Sequence, residues 1–150
     1  MPGPTEYEQD YIDACRSRIE SQVAVFQEVA RSARDHGDAD VSALESALES
    51  LEYEYFNNML IVLDGCFAER RRTTGAAADG GALDEVRVLA RSLTANGGTV
   101  LADPAVPLDP TRSVLGLEVG APVTLTLQQY RRISDAFLRE IERRSSATQD

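Results

Sequence analysis

The sequence holds one histidine, two cysteines and no lysine, and each shortage removes a class of chemistry. Nucleophilic catalysis of the Ser-His-Asp or Cys-His kind needs an imidazole beside the nucleophile. The single imidazole, His36, stands at the end of a helical pattern next to Gly37, where it reads as a solvated residue facing the helix dipole. Cys15 and Cys66 lie far apart, each inside a helical pattern, with no CxxC or Cys/His spacing; they read as small core residues. A disulfide between them is not expected in a reducing compartment. No Glu-x-x-His motif of a di-iron bundle occurs. No phosphate-binding loop follows a strand pattern, so Gly80-Gly81 and Gly97-Gly98 read as turn glycines. Asp35, Asp38 and Asp40 crowd around Gly37 but lack the loop length and closing glutamate of an EF-hand; they read as a solvated turn. No metal or other cofactor is expected.

Long apolar runs are missing too. None approaches the roughly 20 residues that span a bilayer. The start, Met1-Pro-Gly-Pro-Thr-Glu-Tyr-Glu8, has neither the basic nor the apolar region of a signal peptide, so the cytoplasm is the expected location. What is present is an ordinary globular composition, 43% hydrophobic and 27% charged over 150 residues. That is enough chain for one domain with its own core.

The charge is lopsided. Fifteen arginines face twenty-five acids, a net of −10. Residues 1–56 carry thirteen acids and four arginines, whereas residues 57–150 carry twelve and eleven. The N-terminal field repels phosphate, so nucleic acid is not an expected partner there. Glu45, Glu49 and Glu52 share one helix face, and Glu6, Asp10, Asp13 and Glu20 extend the acidic surface; such a face confers solubility or docks a basic protein partner. Arg70-Arg71-Arg72 ends a helix, where cations meet the macrodipole and free carbonyls. No aromatic stacking platform accompanies them.

Periodicity predicts four helices. Ile12, Cys15, Ile19, Gln22, Phe26, Val29 and Ala33 alternate by three and four, giving helix 1 over about 5–36, opened by the capping box Thr5–Glu8 and closed at Gly37. Ser42–Glu45 is a second box, and Val41, Leu44, Leu48, Leu51, Tyr55, Asn58 and Val62 form the stripe of helix 2. Beyond Glu52, Tyr53, Phe56, Leu60, Ile61, Leu63 and Phe67 fall off that stripe yet are apolar, so residues 53–68 are predicted to be wrapped on every side. Residues 73–81 are small and read as a flexible loop. Leu83, Val86, Ala90 and Leu93 make a short helix 3, stopped at Asn96-Gly97-Gly98. Leu115, Leu117 and Val119 alternate with Gly116 and Glu118, which predicts a small β-ribbon or extended flap that pairs with 99–101 or 123–125. Thr126–Gln129 is a third box, with Leu125 and Tyr130 as its staple, before helix 4 with Tyr130, Ile133, Phe137 and Ile141 inward. The termini, about 1–4 and 145–150, are expected to fray. The predicted fold is a mainly α, single-domain, antiparallel four-helix bundle over 1–150, with a long αα-hairpin and a β-ribbon before the last helix.

Polar residues interrupt this pattern. Asn57, Asp64 and Arg71 recur every seventh residue on one stripe of helix 2, among Tyr53, Leu60, Ile61 and Phe67. A carboxylate there is costly without a cation or several donors. Asp64 is therefore expected to pair with Arg87 of helix 3, or else with Arg71 or Arg72. Asn58 is a second polar residue at a core position, and Glu85 lies beside Arg87. One reading is structural, since buried Asn and Asp–Arg pairs fix helix register. The other is a carboxylate- or phosphate-binding pocket lined by Asn57, Asn58, Asp64, Arg72, Glu85 and Arg87.

Phe56-Asn-Asn-Met59, Leu63-Asp64, Phe67-Ala-Glu-Arg70, Leu83-Asp-Glu-Val-Arg87 and Ser113-Val-Leu-Gly-Leu117 resemble segments of a family of small actinobacterial proteins that has no assigned activity. The resemblance covers about residues 53–142 and implies no reaction and no cofactor. Two function classes follow from the residues: a non-catalytic interaction or scaffold protein that self-associates through helices 1 and 2, or a small-molecule binder or enzyme built on the polar cluster.

Overall fold

Long stretches of helix-forming sequence without an interior proline give four helices: α1 (Pro4–Asp35), α2 (Val41–Thr74), α3 (Ala82–Ala95) and α4 (Leu127–Ala147). The chain is mainly α. The structure, a computed structural model, describes residues 4–36, 41–74, 81–103 and 111–147. Among them no helix is long and apolar enough to cross a membrane. The boundaries extend some expectations. Thr73 and Thr74 continue α2, and Ser145, Ser146 and Ala147 continue α4. Gly37, the acidic turn through Asp40, and 75–80 of the predicted loop lie outside the described residues.

Two compact units emerge. The first comprises the residues up to Glu52 together with those from Ile141 onward; the second runs from Tyr53 to Glu140. In the first unit α1 buries Ile12, Cys15, Ile19, Val23, Phe26 and Ala30. The predicted stripe had Gln22 and Val29 instead, but Gln22 is half-buried and Val29 is 50% exposed. The reason is geometric. A straight helix drifts by about 20° per heptad against a strict seven-residue repeat, so the inward position slips by one residue, from 22 to 23 and from 29 to 30. Arg16 pairs with Glu142 of α4. Between α1 and α2, Arg34 grips Glu45 through both carboxylate oxygens, at 2.9 and 3.2 Å. This hydrogen-bonded contact lowers the pKa of Glu45 and raises that of Arg34. Its contribution is present above the ordinary carboxylate pKa and is lost as pH falls through the depressed one. The predicted box at Ser42 gives way to it: α2 begins at Val41, so Ser42 sits within the first turn and Glu45 reaches Arg34. Thr5 likewise lies inside α1, which begins at Pro4.

In the second unit the inward side of α2 is Phe56, Met59, Leu60, Leu63 and Phe67. Phe56 meets Tyr130 of α4 at a centroid distance of 5.4 Å, and Phe67 meets Phe137 at 5.4 Å. The helix is not wrapped on every side as its all-round apolar pattern predicted. Glu54, Asn58 and Gly65 are exposed, and Val62 is 55% exposed. The residues off the heptad stripe are the core, and part of the stripe itself faces water. The third capping box forms as expected: Gln129 N donates to Thr126 Oγ1 at 3.2 Å and Thr126 N donates to Gln129 Oε1 at 3.0 Å. Its staple residues Leu125 and Tyr130 are buried.

The predicted β-ribbon is corrected. Among the described residues there is no β-strand, only one antiparallel bridge between Thr99 and Pro122. Three backbone bonds accompany it, Val100 N to Ala121 O at 2.8 Å, Val123 N to Gly98 O at 2.8 Å and Gly120 N to Val100 O at 2.9 Å. Gly98 (φ +84°) and Gly120 (φ +88°) turn the chain into and out of this contact in a conformation that side-chained residues resist. The alternating residues 115–119 are not the pairing segment.

Phe56→Ala is expected to cost about 3–5 kcal/mol by chemical denaturation, whereas Val62→Ala changes stability by less than about 0.5 kcal/mol. Gly65 is helical and exposed, with open space where a Cβ would stand. Gly65→Ala is therefore expected to stabilise the fold by about 0.5–1 kcal/mol.

Candidate functional site

Irregular backbone in the second unit must satisfy its N–H and C=O groups without a helix or sheet ladder. Several polar side chains do this or complete a helix end, among them two residues predicted for the site. Asn57, half-buried on α2, donates from Nδ2 to Val123 O at 2.9 Å and accepts from Leu125 N at Oδ1 at 3.1 Å. In extended chain, residues 121, 123 and 125 present their peptide groups along one edge. The 98–100 segment takes the first part of that edge and the Asn57 amide takes the next, acting as a single added peptide unit.

Glu85 lies on α3 and is 2% exposed. Its Oε1 accepts from Val114 N at 2.7 Å, and its Oε2 accepts from Leu115 N at 3.0 Å and Ser113 Oγ at 3.1 Å. The Ser113 hydroxyl in turn accepts from Gly116 N at 2.8 Å, with Gly116 at φ +67°. Arg132 of α4 donates to Val114 O at 2.8 Å. The carboxylate thus gathers three donors from one tight turn, the arrangement that makes a buried charge tolerable. This explains why 113–117 is no strand: its N–H groups point at Glu85.

The third anchor was not foreseen. Glu140 of α4 is 6% exposed, and its Oε2 accepts from Ala82 N at 2.9 Å and Leu83 N at 3.4 Å. Those are donors of the first turn of α3, whose N-cap residue Gly81 supplies no side-chain acceptor. A carboxylate also suits the positive end of the helix dipole. A signal for it existed. The α3 start, Gly80-Gly81-Ala82-Leu83, lacks a capping residue, and Glu140 is an acid beside the inward positions Phe137 and Ile141. Ser92, fully buried, does similar work, donating to Val88 O at 2.7 Å and accepting from Leu101 N at 3.0 Å.

Asn58 and Arg87 are exposed, and Asp64 is half-buried. The expected Asp64–Arg87 pair does not form: Arg87 makes no ion pair among the described residues. Arg87 shares one stripe of α3 with Arg91 and Thr94, three and four residues apart and all exposed, which is why it faces outward. The side chains of Arg71 and Arg72 lie outside the described residues. Cys15 is buried and Cys66 half-buried, with no disulfide between them. His36 Nδ1 lies 2.8 Å from Ser32 O at the end of α1. Among the described residues no three His, Cys, Asp or Glu side chains come together as metal ligands would.

Comparison with family models, with curated proteins and with solved structures finds no match for this chain.

Glu85→Gln replaces an oxygen with an amide that turns N–H toward N–H, and is expected to cost about 2–4 kcal/mol in urea titration. Asn57→Ala leaves Val123 O and Leu125 N without these partners and is expected to cost about 2–3 kcal/mol. Arg87→Ala is expected to stay within about 0.5 kcal/mol of the parent.

Proposed function

We propose that this chain is a non-catalytic helical interaction protein of the cytoplasm that self-associates through α1 and α2, within an antiparallel four-helix bundle whose long α1–α2 hairpin carries the contact. The observation that supports this most is exposed apolar side chain on regular helix. Val25, Val29, Val41 and Leu51 of the first unit are 57, 50, 68 and 42% exposed. Scattered surface apolar residues need no explanation. Val25 and Val29 are different, because they are one helical turn apart on a single face. The commitment of Asn57, Glu85 and Glu140 to main-chain groups is consistent with this reading, since those atoms serve the fold.

A second reading is a carboxylate- or phosphate-binding site that uses Asn58, Asp64 and Arg87. It is favoured by the solvent access those three retain. Sedimentation at tens of micromolar is expected to give about twice the single-chain mass of 16.4 kDa. A species of one chain mass at that concentration defeats self-association. A melting-temperature rise with millimolar citrate or inorganic phosphate that Arg87→Ala abolishes supports the second reading in its place.

A further inference from the structure

We draw no further inference here: the strongest candidate, the exposed apolar patch that Val25 and Val29 form one turn apart on α1, carries nothing beyond the self-association already proposed, because nothing in the structure shows what covers it.

Discussion

A buried peptide group without a partner costs more than most single contacts contribute, and this constraint organises the second unit. Between α3 and α4 the described residues form neither helix nor strand, yet Val100, Val123 and Leu125 of that stretch are buried. Their neighbourhood is stable because side chains of the helices complete what a sheet would have supplied. Asn57 substitutes for a peptide in extended pairing, Glu85 collects the N–H groups of a turn, and Ser92 bridges the end of α3 to Leu101. Glu140 reverses the relation, using a helix side chain to finish another helix. Each of these side chains is thus tied to identifiable main-chain groups.

Much of the helical layer was legible in the sequence because period and capping are local properties. The Thr126–Gln129 box with its Leu125/Tyr130 staple appears as read, and so do the four helices to within a few residues. The errors share a cause. Choosing which side of a helix faces in requires knowing what covers it. On α2 the heptad stripe through Tyr55, Asn58 and Val62 looked like the core, while Phe56, Leu60, Leu63 and Phe67 carry more buried volume and win the interior. Alternation at 115–119 imitated a strand because Leu115 and Leu117 bracket a turn glycine, and nothing local reveals that a carboxylate thirty residues earlier holds the N–H groups.

The polar candidates divide along the same line. Asn57 and Glu85 could be flagged as anomalous from sequence, since polar residues amid apolar ones demand partners. Their partners could not be named, because they are main-chain atoms that carry no signature in the one-letter code. Charge and its place beside the Leu83/Val86/Ala90 face match Arg87 to Asp64, but Arg87 belongs to the exposed stripe of α3 that it shares with Arg91 and Thr94.

The anchors reach far along the chain: Asn57 to Val123 spans 66 positions, and Glu140 to Ala82 spans 58. A chain made from its N-terminus exposes α2 and α3 long before these groups exist. Until residues 123–125 are made, Asn57 has no segment to receive it, and until α4 reaches Glu140 the first turn of α3 has only water to bond. The second unit must therefore close late, in a step that waits for the residues through Glu140 and slows with the loop lengths it spans. A chain cut even a few residues before Glu140 lacks the acceptor for the first turn of α3 and leaves apolar helix faces open to chaperones and proteases.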